Sequence, residues 1–130
     1  MQRVTGIGGV FFKARDAQAL RAWYKRHLGL DIQSWGGVAL PPAPTQPADS
    51  KTPRASHSAW CIFQADSDYL GAAPFMINYR VADLASLLAA LRSEGCNVLE
   101  KTDDSEYGKF GWVMDPEGNK VELWQPPPGQ

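Results

Sequence analysis

Cysteine is scarce, long apolar runs are missing, and neither sign of charge dominates. The two cysteines, Cys61 and Cys96, lie far apart and share no metal-type spacing. They exclude a zinc cluster or a disulfide framework and read as reduced core thiols. No apolar run approaches the ~20 residues that span a bilayer, so no membrane partner is expected. The opening Met1-Gln2-Arg3-Val4-Thr5-Gly6 lacks the apolar segment of a secretory leader, which makes the cytoplasm the expected location. Thirteen Lys and Arg against fourteen Asp and Glu leave a net charge of −1. That balance carries no footprint for nucleic acid. There is also no Walker or dinucleotide glycine motif, and no Ser/His/Asp or Cys/His nucleophile arrangement.

What the chain does contain is material for a core: 44% of its 130 residues are hydrophobic and 11% aromatic. One domain over residues 1–130 is expected at this length. Five of the ten prolines fall between Pro41 and Pro53, amid polar residues with no periodicity. Residues 41–56 therefore read as a Pro-rich loop inside the domain rather than a linker. The Pro126-Pro127-Pro128 tail cannot extend a sheet.

Two segments have helical period. In Asp16–His27 the apolar residues Leu20, Trp23, Tyr24 and Leu28 recur at helical spacing, with Asp16 as N-cap and Gly29 as terminator. In Asp83–Glu94 the stripe is Leu84, Leu87, Leu88 and Leu91, capped by Asp83 and ended by Gly95. Short segments rich in β-branched and aromatic residues, near 7–14, 31–35, 37–40, 57–65, 75–81, 97–101, 109–114 and 120–125, read as strands. Asp115-Pro116-Glu117-Gly118-Asn119 reads as the hairpin turn joining the last two. The order β-α-β-β-β occurs twice. An offset of 67 positions places Asp16 on Asp83, Leu20 on Leu87 and Phe12 on Tyr79. The expected fold is α+β, built from two βαβββ repeats over about 5–65 and 74–125 around a groove.

Three motifs in order carry a resemblance. Ile7-Gly8-Gly9-Val10-Phe11-Phe12-Lys13-Ala14-Arg15-Asp16 resembles the first strand and helix cap of the vicinal-oxygen-chelate superfamily, which includes glyoxalase I, extradiol dioxygenases and bleomycin-resistance proteins. Trp23-Tyr24 followed by His27-Leu28-Gly29-Leu30 is similar to its helix-end signature, and Asp115-Pro116-Glu117-Gly118-Asn119 through Glu122-Leu123 to its closing hairpin. The resemblance implies curved sheets around a groove, often a homodimer, and a metal held in enzyme members by His or Glu. Carried over, the ligand positions are Gly9, Cys61, Met76 and Glu122. Only Glu122 is a usual ligand, since glycine offers no side chain and a thioether binds hard divalent ions poorly. No metal or other cofactor is therefore expected.

Strand parity sets Lys120, Glu122 and Trp124 on one face. Glu122 reads either as a groove carboxylate, serving as base or contact for a cationic ligand, or as a structural ion-pair partner of Lys13, Arg80 or Lys120. His57 shares the parity of Cys61 and can join Glu122 as a nonstandard couple, or simply begin a strand. Trp60, Trp112 and Trp124, with Phe11 and Tyr107 nearby, read as groove aromatics suited to stacking on a ligand, or as packing. His27, Trp23 and Tyr24 read as structural. The expectation is a metal-free protein binding a small aromatic or cationic molecule. A lyase- or dioxygenase-like enzyme using Glu122, with or without His57, is the alternative.

Overall fold

The computed structural model describes residues 3–40 and 58–128. The Pro-rich stretch and His57 lie outside the described residues. Among the described residues, seven strands and two helices follow one another: β1 (Val4–Ala14), α1 (Ala17–Leu28), β2 (Gly37–Leu40), β3 (Ser58–Gln64), β4 (Phe75–Val81), α2 (Leu84–Ser93), β5 (Asn97–Ser105), β6 (Gly108–Met114) and β7 (Lys120–Gln125). They form one mixed sheet in the order β2-β3-β1-β4-β7-β6-β5. β1 runs parallel to β3 and antiparallel to β4, and β4 runs parallel to β7.

The repeat is visible in the register. Val10 faces Ile77 across the central β1–β4 pair, and these two residues are 67 positions apart, the offset read from sequence. A pseudo-two-fold therefore passes between them. It relates the pair Phe11–Cys61 in the first unit to Asn78–Glu122 in the second. The α+β fold with two related units is the one expected.

One expected strand is absent. Residues 31–35 form no strand, because the backbone there turns on itself. The Gln33 N–H donates to the Gly37 carbonyl at 2.8 Å and the Gly36 N–H to the Gln33 carbonyl at 3.0 Å. Gly36 adopts φ 99°, a conformation open to glycine but strained for other residues. The chain reverses into β2, and the first unit has three strands among the described residues.

Both helices begin where the sequence places them. The Asp16 carboxylate accepts from the Ala19 N–H at 3.0 Å and the Asp83 carboxylate from the Ser86 N–H at 3.1 Å, satisfying donors that a helix start leaves free. α2 buries Leu84, Leu87 and Leu88 against Val81 and Leu123, with Leu91 packed beside them. α1 is a correction to the expected stripe. Trp23 is 49% and Leu28 60% exposed. Leu20 and Tyr24 of that stripe do face inward, with Ala17 and Arg21 in place of Trp23 and Leu28; Tyr24 meets the rings of Phe12 and Trp60, and Arg21 donates to the Ile62 carbonyl at 2.6 Å. The cysteines are both free, but only Cys61 is a core thiol; Cys96 is exposed at the end of α2, where its N–H caps Leu91.

Because both helices cover the same side of the sheet, the other side is left to build a site. A second core cluster lies there: Phe11, Cys61, Leu70, Met76 and Trp112, with Phe63, Leu99 and Phe110 against it. This side, away from α1 and α2, is the inner face.

Candidate functional site

Glu122 stands in the middle of the inner face, 1% exposed. Strand alternation puts it there: its neighbours Val121 and Leu123 pack on the α2 side, so Glu122 must point the other way. Three donors meet its carboxylate. The Tyr69 hydroxyl and the Trp112 indole N–H, the latter at 3.0 Å, both donate to Oε1. The Asn78 amide donates to Oε2 at 2.7 Å. Each donor is placed by the backbone: Trp112 and Asn78 lie directly opposite Glu122 on the flanking strands β6 and β4. Tyr69 comes from the turn between β3 and β4, anchored by the fully buried Leu70 beside it.

Aromatic rings close around this carboxylate. Tyr69 stacks on Phe63 with centroids 5.4 Å apart and planes 4° from parallel, and meets Trp112 edge-on at 6.2 Å. Phe11 meets Phe63 edge-on at 5.9 Å. The Lys120 ammonium lies 5.2 Å from the Tyr69 ring and 5.4 Å from the Trp112 ring, while donating to the Tyr69 carbonyl at 2.7 Å. Burial and the negative charge of Glu122 both push the Tyr69 phenol well above its ordinary pKa. Farther along the inner face, Trp124 stacks on Phe110 at 6.1 Å, and the Arg80 guanidinium sits 5.0 Å from the Trp124 ring.

The structure brings together Phe11, Trp112, Glu122 and, at one remove, Trp124. Trp60 does not join them: it follows the opposite parity to Cys61 and packs on the α1 side, 5.3 Å from Phe12 and 4.9 Å from Tyr24. Tyr107 lies 69% exposed at the tip of the β5–β6 turn. Its carbonyl receives the Trp124 indole N–H at 2.8 Å, so it touches the set through its backbone. His57 falls outside the described residues. Of the structural partners considered for Glu122, Lys13 and Lys120 donate instead to the carbonyls of Gly71 and Tyr69.

Sequence reading missed Asn78 and Tyr69. Asn78 is a polar residue among the apolar positions of β4, two residues from Met76, and that parity was the available signal. Tyr69 sits in an irregular connection where no period applies, although Tyr69-Leu70 is an isolated apolar pair in a polar, Gly- and Pro-bearing segment.

The four superfamily ligand positions also take their places. Met76 is fully buried and Cys61 6% exposed, both within the inner-face core; burial raises the Cys61 thiol pKa. At Gly9 a Cβ would lie 2.7 Å from the Ala59 carbonyl oxygen, so no side chain fits without a backbone shift. The set supplies one carboxylate, a thiol and a thioether, and the carboxylate already faces three protein donors. At most two of the four, the Glu122 carboxylate and the Cys61 sulfur, are ordinary ligands of a hard or borderline divalent ion, and among the described residues no third His, Cys, Asp or Glu joins them, so the set does not fit one.

Comparison with known proteins bears on the fold. The family model described as a glyoxalase-like domain matches residues 9–124. Solved structures with the same architecture include methylmalonyl-CoA epimerase from Mycobacterium tuberculosis, at 20% identity and TM-score 0.64 over 98% of this chain and 92% of that one. A methylmalonyl-CoA epimerase in complex with methylmalonyl-CoA and NH4+ is 13% identical, with TM-score 0.69 over 98% of each chain. A single-residue variant of the Streptomyces coelicolor enzyme, in complex with 2-nitronate-propionyl-CoA, gives the same identity, TM-score and coverage. The curated proteins contain no match. The chain, with its two related β-α-β units and a family match over residues 9–124, belongs to the glyoxalase-like family of the vicinal-oxygen-chelate superfamily.

Proposed function

We propose that the inner face of the second unit is a small-molecule site that works without a metal. Glu122 receives a donor from the ligand, and Phe63 and Trp112 contact its rings. The observation that carries this reading is a carboxylate buried among aromatic rings and met, among the described residues, by uncharged N–H and O–H donors. A carboxylate in apolar surroundings costs several kcal/mol unless it is fully hydrogen-bonded. An apolar residue would fill the same place more cheaply if packing were its whole role. The pseudo-two-fold sharpens the point, because the equivalent pair in the first unit is the apolar Phe11–Cys61. Ring faces at the site already lie near Lys120, which favours a flat neutral ligand over a cationic one.

A catalytic reading has one specific support: the structural neighbours include methylmalonyl-CoA epimerases, and a buried carboxylate is a competent general base. One variant separates the two. Glu122→Gln keeps the shape but removes charge, and places an amide N–H against one of the existing donors. For a binding protein, affinity should fall roughly 10–150-fold, the equivalent of one charge-assisted hydrogen bond of about 1.5–3 kcal/mol. An enzyme using Glu122 as base would keep affinity and lose turnover by about 10²–10⁴-fold. The measurement is ligand titration by tryptophan fluorescence and melting temperature on chelator-treated protein. Binding that survives only with a divalent metal added back would overturn the metal-free reading.

We further propose a homodimer. Ile7, Val10 and Phe75 are 48%, 40% and 40% exposed on the central strand pair, and a second copy would cover them.

A further inference from the structure

Tyr69 is arranged as a bound ligand would be. Its ring lies in a slot between Phe63, stacked at 5.4 Å and 4°, and Trp112, edge-on at 6.2 Å. Its hydroxyl donates to the Glu122 carboxylate. Yet Tyr69 is 37% exposed, whereas Leu70 beside it is fully buried. The turn that carries both is held independently of the phenol. Leu70 is embedded in the inner-face core, Lys13 donates to the Gly71 carbonyl at 2.7 Å, and Lys120 donates to the Tyr69 carbonyl at 2.7 Å. Rotation of that one side chain, with the backbone in place, would empty the slot and free the Glu122 Oε1 of its hydroxyl donor. From this we infer that Tyr69 is an internal occupant of the ligand site, and that the ligand is a flat, uncharged compound with a phenol-type O–H donor that displaces it. The inference rests on the binding reading above and names its ligand class. Competition from the tyrosine has a quantitative consequence: wild-type affinity is the intrinsic affinity reduced by the fraction of molecules whose slot is open.

The test uses p-cresol, toluene and benzylamine as probes on wild type, Tyr69→Ala and Tyr69→Phe. Wild type should bind p-cresol, and at saturation the ring signals of Tyr69 in NMR should move to the positions of a solvated tyrosine. Tyr69→Ala should bind p-cresol at least tenfold more tightly than wild type. It should bind toluene and benzylamine at least tenfold more weakly than p-cresol, since neither offers a phenolic O–H. Tyr69→Phe keeps the ring but loses the hydrogen bond to Glu122, so its affinity should fall between the two; this variant carries the test if Tyr69→Ala does not fold. A tyrosine with a purely packing role would let p-cresol fill the hole in Tyr69→Ala while wild type bound none, and that result overturns the inference. So does toluene binding as tightly as p-cresol. If a non-phenolic aromatic binds wild type and shifts the Trp112 indole N–H while Tyr69 stays in place, the inference fails but the binding reading stands. If no aromatic probe shifts that N–H in any of the three proteins, both fail.

Discussion

Glu122 depends on donors that are themselves unequal. Trp112 and Asn78 are 3% and 2% exposed and fixed by strand pairing, while the Tyr69 side chain is held by its ring contacts and the one hydrogen bond of its hydroxyl. Asn78 can be oriented only one way, because turning its amide would set its carbonyl against the carboxylate. The Tyr69 phenol has a further signature in pH. Its pKa is raised by burial first and by Glu122 second, so the folded state holds its proton more tightly than the unfolded chain. The stabilisation is complete below the unfolded tyrosine value, about pH 10, and is lost as pH rises beyond it toward the folded value. Tyr69→Phe should therefore be less stable than wild type at about pH 8, by about 1–2 kcal/mol for a lost hydrogen bond, and the gap should narrow above about pH 10. Urea unfolding across that range checks it; a constant gap would place the hydroxyl outside the carboxylate's reach.

At the scale of elements, the two helices look alike in sequence and differ in what they bury. Both have an aspartate cap and a leucine-bearing stripe. α2 covers its strands with three buried leucines, whereas α1 buries only Ala17 completely. Leu88→Ala should cost about 2–5 kcal/mol through lost transfer energy and a residual cavity, and Leu28→Ala less than about 0.5 kcal/mol. Thermal or urea unfolding of the two variants measures the contrast, and equal losses would contradict the α1 packing. Caps, turns and the β4, β6 and β7 segments were legible because each has a local cause: a side chain that caps, a proline at its turn position, an alternation of two. The 115–119 turn forms as read, with the Asp115 carboxylate accepting from the Glu117 and Asn119 N–H groups at 2.9 and 2.8 Å. What was not legible depended on partners distant in sequence. Residues 31–35 have strand composition but are drawn into the turn at Gly36, and Trp23 has core spacing but is half exposed on the outer side of α1.

Across the whole molecule, the pseudo-two-fold was readable from the offset of 67, and parity set Glu122 and Trp124 on one face; Phe11 and Trp112 came from the family resemblance, which also offered Trp60 on the wrong side. Tyr69, which completes the site, was not readable, since a connection between two units has no period to read. The sheet's edges are poor sites for association: β2 has four residues, and β5 carries Glu100, Lys101, Asp103 and Asp104. A dimer should therefore form through the exposed apolar residues of the central strands. Sedimentation at tens of micromolar should show two chains for wild type and one for Val10→Glu; a monomeric wild type would contradict this. The central claim is that a ligand engages Glu122 on the inner face without a metal, and the Trp112 indole N–H reports on that carboxylate directly. In chelator-treated protein, an aromatic ligand should shift the Trp112 indole signal in NMR, assigned with Trp112→Phe, and leave those of the exposed Trp23 and Trp35 in place. A ligand that stabilises the protein while moving Trp23 or Trp35 and leaving Trp112 unchanged would contradict the account.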